Sequence, residues 1–292
     1  MRILITGASG FVGGHVLPRL GNVGEVAILQ RPGTLAQAYD GPVFVGDITE
    51  PADLAAIPPM DVIVHMAAEA SPQRAAQDPD AARRINVDGT ANIAAMALEW
   101  GARLVNLSTG QVYGPSRGRP FTETAPLSPQ GVYAETKMQA EQAVERARRE
   151  GLDAVSLRCF NMYGPGQRGP YVVPDIMKSV VRGETPALRD LAPARDFLYI
   201  TDAVEAIMLA IARPDLPPVV NVAAGKTCTI GEVARVACDL AGLAPPDGPF
   251  KNAEKVEVDV GQLRALGWTA TVDLPTGLRS TLEWWRQQEP DS

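Results

Sequence analysis

The stretch MRILITGASGFVGGHV, residues 1–16, decides the fold. Its mostly apolar segment RILIT runs directly into three glycines spaced three apart, Gly7, Gly10 and Gly13, after which apolar residues resume at once. A glycine inside a regular element costs about 0.5–1 kcal/mol relative to alanine. Glycines at this density, directly after a segment typical of a buried strand, indicate that a ligand or a close packing contact needs the backbone there.

The composition narrows the class of protein. The chain has 292 residues, enough for one large domain or two small ones, and 46% hydrophobic with 21% charged residues is typical of a soluble globular protein. Its net charge of −7 and the absence of long basic runs argue against nucleic acid or an anionic membrane as a partner. No apolar stretch reaches the roughly 18 residues of a membrane span.

Cysteine and histidine usage gives two further expectations. Three cysteines without a CxxC pair, and an N-terminus that begins as a strand, predict a cytoplasmic protein with reduced thiols and no signal peptide. Two histidines far apart in sequence predict no metal site.

Short apolar segments alternate with helical patterns through the first 160 residues. Continuous apolar runs of this length are typical of strands covered on both faces, so the alternation predicts an α/β, Rossmann-type, doubly wound parallel sheet. Helices are predicted where apolar residues fall on one face, around 93–100, and across 134–150, which is rich in helix formers. The predicted strands are RILIT (2–6), EVAIL (25–29), PVFVG (42–46), DVIVHMA (61–67), RLVNLS (103–108), DAVSLRC (153–159) and VVNVA (219–223).

The local amino-acid composition changes after Cys159. Proline and glycine become dense, and the rest of the chain is too interrupted for a second Rossmann unit. We predict a dinucleotide-binding domain over 1–160, to which 198–223 returns, and a smaller C-terminal substrate-binding lobe over 161–292. Within that lobe, helices are predicted at 177–184, 230–242 and 275–288, and an irregular loop at 188–197.

The glycine turn itself predicts a phosphate site. A helix that begins near Phe11 presents unpaired backbone N–H groups, including those of Phe11 and Val12, at its positive end. Gly7 would permit the tight turn, Gly10 the approach of a pyrophosphate, and Gly13 the packing of helix on strand. The alternative is an ordinary strand–helix turn, but the run of further strand–helix units favours a dinucleotide cofactor.

The end of the second predicted strand bears on which dinucleotide binds. An NAD site usually carries a carboxylate there for the ribose 2′-hydroxyl, whereas this chain has Gln30 and Arg31. Because a guanidinium suits a 2′-phosphate, we predict NADP, with NAD as the alternative if Arg31 points into water.

Further motifs carry a family resemblance. They are GDIT (46–49), HMAA (65–68), STGQVYG (108–114) and YAETK (133–137). Together with the glycine turn, they resemble the extended short-chain dehydrogenase/reductases that act on nucleotide sugars as epimerases, dehydratases or 4-ketoreductases. The resemblance extends over nearly the whole chain, as far as ALGW at 265–268.

Tyr133 and Lys137 are the predicted centre of the chemistry. They lie four residues apart, on one face of the predicted helix. A nearby ammonium lowers the pKa of a phenol from about 10 toward neutrality, so the tyrosine can exchange a proton at working pH. The resemblance implies that Thr109 orients the substrate oxygen, with adjacent Ser108 as the alternative, and that Lys137 also holds the nicotinamide ribose. A solvated helix face is the other interpretation of the pair.

The resemblance also implies the remaining cofactor contacts. Asp47 and Ile48 should meet the adenine, and Ala67 and Ala68 the ribose and phosphate side. Asn86 should form a structural turn near the cofactor, although a helix N-cap is an equally good interpretation of INVDGT.

The substrate residues follow from the same resemblance. The segment RCFNMYGPGQ implies that Asn161 touches a nucleotide-diphosphate sugar, and RDF implies that Arg195 pairs with a phosphate. A surface ion pair with Asp196 or Asp202 is the alternative for that arginine. Lys251 stands where many relatives carry a second arginine clamp, and this departure leaves the nucleotide contacts open.

Three reactions compete within the family. Dehydratases carry an Asp-Glu pair where this chain has Gly110 and Gln111, and neither can shuttle a proton, so dehydration is set aside. A 4-epimerase oxidises C4 and reduces it again on bound NAD, whereas a 4-ketoreductase of 4-keto-6-deoxyhexoses consumes NADPH. Arg31, and the absence of a Gly-Asp-Gly turn within 188–197, favour the reductase, with the epimerase as the alternative.

A non-catalytic dinucleotide-binding regulator is a third possibility. Such relatives lose the tyrosine or the lysine, whereas this chain has both Tyr133 and Lys137. The resemblance further implies a homodimer formed through helices near 88–100 and 133–149.

Overall fold

Strand β1 (Arg2–Thr6), with the glycine turn behind it, lies inside a seven-stranded sheet. The structure is a computed structural model that describes residues 1–34, 39–116, 118–248 and 256–288. The strand order is β10-β6-β5-β4-β1-β2-β3, and the pairings from β3 through β6 are all parallel. This order, which runs outward in both directions from the β1–β4 pair, confirms the predicted doubly wound α/β fold of the Rossmann type.

The strands and helices alternate as the sequence predicts. The strands of the sheet are β1, β2 (Glu25–Gln30), β3 (Val43–Val45), β4 (Val62–His65), β5 (Arg103–Thr109), β6 (Ala154–Cys159) and β10 (Val219–Val222). Shorter strands are β7 (Met162–Tyr163), β8 (Ala194–Asp196), β9 (Leu198–Tyr199) and β11 (Thr227–Thr229). The helices are α1 (Phe11–Leu20), α2 (Pro51–Leu54), α3 (Pro72–Gln77), α4 (Pro79–Arg83), α5 (Gly89–Trp100), α6 (Val132–Arg149), α7 (Val172–Val181), α8 (Ile200–Ala212), α9 (Ile230–Ala241), α10 (Gly261–Ala265) and α11 (Leu274–Gln288). A π-helix spans Arg84–Asp88, and a 3-10 turn spans Gly110–Tyr113.

The inner strands are apolar because helices cover both of their faces. All seven residues of β5 and all six of β6 are buried, whereas β3, at the edge of the sheet, leaves Val43 and Val45 exposed. Continuous burial is the pattern expected of a parallel sheet. Polar residues within these strands therefore need specific partners, and the site described below supplies them.

The described residues divide into two compact units. The first holds the sheet through β6, together with 204–221, and the second holds most of the chain after β6. Relative to the predicted return segment at 198–223, the residues that lie with the first unit begin at Val204, and the stretch 115–122 lies with the second unit.

Two local predictions for the second unit were wrong. The predicted irregular loop 188–197 contains β8, which pairs antiparallel with β11. The helix predicted at 177–184 spans Val172–Val181 instead, because Val173, Ile176 and Val180 form its buried face and Pro174 is tolerated in a first helical turn.

Candidate active site

The glycine turn is built so closely that side chains do not fit. Gly7 has a positive φ of 76°, and a Cβ there would lie 2.7 Å from the backbone nitrogen of Ala67. A Cβ on Gly13 would lie 2.2 Å from the carbonyl oxygen of Gly7. The turn closes through a hydrogen bond of 3.0 Å from the Gly10 N–H to the same oxygen. The conformation predicted for Gly7 and the packing predicted for Gly13 are therefore both present.

Helix α1 begins directly after this turn, at Phe11. Gly10 is its N-cap, with no side-chain hydrogen bond to the first turn and no acidic residue in that turn. The first N–H groups of a helix have no partner inside the helix. Phe11, Val12 and Gly13 therefore offer backbone donors at the positive end of the helix dipole, as a pyrophosphate would require.

The ends of β2 and β3 carry the residues predicted to meet the adenosine half. Arg31 is exposed, and the amide of Gln30 donates to the carbonyl of Thr34. The Oε1 atom of Gln30 is buried and accepts no hydrogen bond from the described residues. Asp47 is half-buried and its Oδ1 accepts from the Thr49 N–H at 2.9 Å, while Ile48 is buried.

The end of β4 is held to the glycine turn through His65. Its ring nitrogens contact the hydroxyls of Thr6 at 2.7 Å and Thr90 at 3.0 Å, and the Thr6 hydroxyl also accepts from the Ala67 N–H at 3.2 Å. Burial, with a smaller effect of the Lys137 charge, lowers the pKa of His65 to about 3. The imidazole is therefore neutral and fixes the half-buried Ala67 and Ala68 beside Gly7.

Asn86 is a structural residue, as the resemblance implies, and its predicted place near the cofactor stays a prediction. It is fully buried within the π-helix, where its Oδ1 accepts from the Glu69 N–H and its Nδ2 donates to the Glu69 carbonyl and the Thr136 hydroxyl. Because both amide hydrogens and the carbonyl oxygen are engaged, the side chain has no donor left for a cofactor. It is not a helix N-cap either.

Tyr133 and Lys137 lie one turn apart on α6, as the spacing predicts. Tyr133 is half-buried, whereas Lys137 is 4% exposed and its Nζ donates to the Leu107 carbonyl at 2.6 Å. Burial lowers the pKa of Lys137 to about 8, while Glu141 and Cys159 act in the opposite direction. The ammonium therefore remains largely protonated near neutral pH, inside the protein rather than on a solvated helix face.

At the carboxyl end of β5, the two candidate hydroxyls differ in their hydrogen bonds. Ser108 donates to the buried carboxylate of Glu141. The Thr109 hydroxyl accepts from the Gln111 N–H at 3.2 Å, and among the described residues its own hydrogen has no acceptor, so it is available for a substrate oxygen. Since the Ser108 hydrogen is already committed, Thr109 is the better candidate for orienting the substrate.

Sequence reasoning missed the ion pair behind these residues. The Glu141 carboxylate pairs with Arg158 on β6, with Nη2 2.7 Å from Oε2, and both side chains are nearly fully buried. A signal was present, because an arginine inside the apolar segment DAVSLRC needs a buried partner.

The residues predicted to contact the nucleotide part of the substrate follow β6 in the chain. Asn161 is exposed and its Nδ2 donates to the Asp196 carbonyl at 2.9 Å. Arg195 is exposed and donates to the Ala194 carbonyl. Lys251 lies outside the described residues, so its predicted role stays a prediction.

Arg195 does not form the predicted alternative, a surface ion pair. The Asp196 carboxylate accepts from the N–H groups of Ala224 and Lys226, and the Asp202 carboxylate accepts from the Thr271 hydroxyl and the Val272 N–H. Among the described residues, neither carboxylate forms an ion pair with the guanidinium. Burial raises the pKa of Asp196 to about 6, although backbone N–H groups act against this.

In the part of the chain that the structure describes, no group of histidine, cysteine and acidic side chains is arranged to hold a metal ion. No helix among those residues has the length and apolar character needed to cross a membrane.

The fold and the site define a class, the dinucleotide-dependent short-chain dehydrogenase/reductases. Its features here are a doubly wound parallel sheet, a glycine turn at a helix start, and a Tyr–Lys pair beside a strand-end threonine. Comparison with known proteins agrees. Residues 3–223 match the NAD dependent epimerase/dehydratase family, and the chain belongs to that family.

Individual relatives cover the chain almost completely. It is 30% identical to a dTDP-glucose 4,6-dehydratase of Mycolicibacterium smegmatis, over 99% of this chain and 94% of the relative. The Thermus thermophilus UDP-glucose 4-epimerase, solved with NAD, has a TM-score of 0.87 and 30% identity, covering 98% of this chain and 99% of the other. The Thermotoga maritima UDP-glucose 4-epimerase, solved with UDP-glucose, has a TM-score of 0.88 and 26% identity, covering 99% of each chain.

Proposed function

We propose that the chain is a nucleotide-sugar 4-epimerase that uses NAD and acts through hydride transfer at C4 of a nucleotide-linked hexose. One observation carries the proposal. Tyr133 and buried Lys137 share a face of α6, Thr109 ends β5, and Gly110 and Gln111 stand where dehydratases of the family carry an Asp-Glu pair. Solved relatives with epimerase activity, of which one holds NAD and another UDP-glucose, support the cofactor and the substrate class.

The residues of the first unit fit a dinucleotide. Gly7 and Gly13 let the turn pack backbone against backbone where a side chain would not fit, and the N–H groups of Phe11 and Val12 would face the pyrophosphate. Asp47 and Ile48 would meet the adenine, and Ala67 and Ala68 the ribose and phosphate side. When bound, the nicotinamide supplies reversible hydride acceptance and donation at C4.

The chain's own side chains supply the proton chemistry. Thr109 would donate a hydrogen bond to the C4 oxygen and fix its position. Tyr133 would take the proton of the C4 hydroxyl as that carbon is oxidised. It would return a proton to the same oxygen after the keto sugar has rotated to present its other face. Lys137, as an ammonium, would stabilise the phenolate that is present before the first transfer and forms again after the second. In the second unit, Asn161 and Arg195 would contact the diphosphate.

A 4-ketoreductase that uses NADPH is the second candidate. Arg31, exposed at the end of β2, and the absence of a Gly-Asp-Gly turn before RDF favour it. The Oε1 of Gln30, which accepts no hydrogen bond from the described residues, favours NAD, since a carbonyl oxygen accepts from a ribose hydroxyl and repels a phosphate. Arg31→Ala separates the two. It should weaken NADP binding by about tenfold while sparing NAD if the guanidinium reads a 2′-phosphate. Equal affinities before and after the change would remove the support for the reductase.

The activity test compares two reactions of the purified protein. Incubation with UDP-glucose and catalytic NAD, without added reductant, should yield the C4 epimer, measured by chromatography of the nucleotide sugars. Stoichiometric oxidation of NADPH by a nucleotide-linked 4-keto-6-deoxyhexose would instead identify the reductase. Tight dinucleotide binding with neither reaction would identify the non-catalytic regulator.

A further inference from the structure

Behind the proposed catalytic face of α6 lies a buried ion pair. Glu141 follows Lys137 by one helical turn and is 7% exposed, and Arg158 on β6 is 4% exposed. Two guanidinium nitrogens donate to the carboxylate, Nε at 3.0 Å from Oε1 and Nη2 at 2.7 Å from Oε2. This forked geometry fixes both side chains more firmly than a single contact would.

The pair also fixes the end of β5. Ser108 is the register partner of Arg158 in the sheet, and its hydroxyl donates to Glu141. The third guanidinium nitrogen, Nη1, donates to the Tyr113 hydroxyl at 2.9 Å, which in turn donates to Oδ1 of Asn221 at 2.7 Å. These hydrogen bonds therefore restrain the carboxyl end of β5, which leads into Thr109.

The electrostatic surroundings of Lys137 single out Glu141. The titratable groups around the ammonium are Tyr133 and Glu141 on its own helix, His65 at the end of β4, and Cys159 on β6. Burial lowers the pKa of His65 to about 3 and raises that of Cys159 to about 12, so both are neutral near pH 7. Glu141 is thus the negative charge that opposes the cost of burying this ammonium.

Resting on the proposed function, we propose that Glu141, clamped by Arg158, is a positioning residue that keeps Lys137 protonated and the Ser108–Thr109 strand end in place for proton transfer by Tyr133. A buried ion pair is weak support for stability, because well-packed apolar residues often stabilise as well. A role in setting the charge of Lys137, beside the proposed proton donor, explains why this pair is ionic.

The decisive experiment titrates Lys137 itself. The chain has five lysines, so isotope-labelled lysine gives few NMR signals, and a Lys137→Met variant assigns the relevant one. Glu141→Gln should lower the pKa of Lys137 by about 1 or more, because the opposing carboxylate charge is lost. Arg158→Met should raise it, because the Glu141 charge is then no longer neutralised. A merely structural pair would not produce shifts of opposite sign.

Asp153→Asn is the matched control. It breaks another ion pair, which joins Arg103 at the opposite end of β5 to Asp153 just before β6, and should leave the Lys137 titration unchanged. Glu141→Asp keeps the carboxylate and should restore most of the shift. If either Glu141→Gln or Arg158→Met fails to fold, the other variant still tests the sign of the change in the Lys137 pKa. Unchanged titration in the variants that fold, or shifts of the same sign for Glu141→Gln and Arg158→Met, would overturn the proposal.

Activity supplies the second readout. In Glu141→Gln, the pH above which kcat/KM falls should move down together with the Lys137 pKa, and Asp153→Asn should not move it. Failure to turn over any nucleotide sugar would reject the proposed function while the NMR result still decides the charge relation between Glu141 and Lys137. A pH profile that does not follow a shifted Lys137 would reject the positioning role alone.

Discussion

The two ends of strand β5 hold buried charge for different purposes. At its start, Arg103 is 7% exposed and donates to the carbonyls of Ala210 and Arg213 and to Asp153. At its other end, Ser108 and Thr109 stand among buried ionisable side chains of α6 and β6. The first arrangement satisfies backbone carbonyls at the end of a helix, whereas the second surrounds a candidate proton donor.

The difference teaches where a parallel sheet tolerates functional groups. Ligands of open α/β sheets bind beyond the carboxyl ends of the strands, so polar side chains gather there. Charge at the amino ends serves to satisfy the backbone. Substitutions at the carboxyl end of β5 and its neighbours should therefore change activity or titration, and substitutions at the amino end should change stability.

Removing the proposed proton donor should give the largest effect. Tyr133→Phe keeps the ring of a half-buried residue and removes the hydroxyl, so kcat should fall by about 10²–10⁴-fold, as expected for a lost general acid–base. The measurement is steady-state epimerisation, with dinucleotide affinity and the free energy of unfolding as controls, both of which should stay near the unmodified values. Near-normal turnover would falsify the assignment of the carboxyl end as the catalytic end.

The buried histidine at the carboxyl end of β4 should give a pH-dependent effect. The pKa of His65 is about 3 in the folded protein and near 6.5 when unfolded, so below pH 6.5 only the unfolded chain binds the proton. Its contribution to stability is complete above pH 6.5 and is lost as the pH falls toward 3. The slope is about 1.4 kcal/mol per pH unit, or about 2 kcal/mol between pH 6.5 and 5.

Urea unfolding at pH 7, 6 and 5 measures this slope. His65→Gln should remove most of its histidine-dependent part, and His15→Gln, which changes the other histidine of the chain, should retain it. Identical slopes in both variants would mean that the acid sensitivity arises elsewhere.

Local patterns in the sequence predict most of the first unit. The glycine turn, the alternation of strands and helices and the Tyr133–Lys137 face depend on residues near each other in the chain, where propensity and spacing act directly. The partners of Asn86 left no local signal, because its bonds to Glu69 and Thr136 join three separate segments. Glu141 was hidden because it stands in a run of helix formers that also suits a solvated face.

The second unit is less predictable for a physical reason. Strand β8, Ala194–Asp196, has three residues and no alternation of polarity, and it is a strand because β11 pairs with it. Likewise, the Asp196 carboxylate is satisfied by N–H groups of Ala224 and Lys226, about thirty residues further along the chain. Pairings of this kind leave no signal in a local window.

The smallest effect on catalysis is expected at the amino end of β5. Asp153→Asn removes the charge of a half-exposed carboxylate while Arg103 keeps its bonds to the Ala210 and Arg213 carbonyls. A partly exposed ion pair contributes up to about 1 kcal/mol, so the free energy of unfolding should fall by no more than that. Measured beside Tyr133→Phe, kcat/KM should stay within about twofold, because no atom of this pair lies at the ligand-binding edge of the sheet. A large loss of activity without a loss of stability would mean that the two ends of the strand are coupled, and the division between them would have to be abandoned.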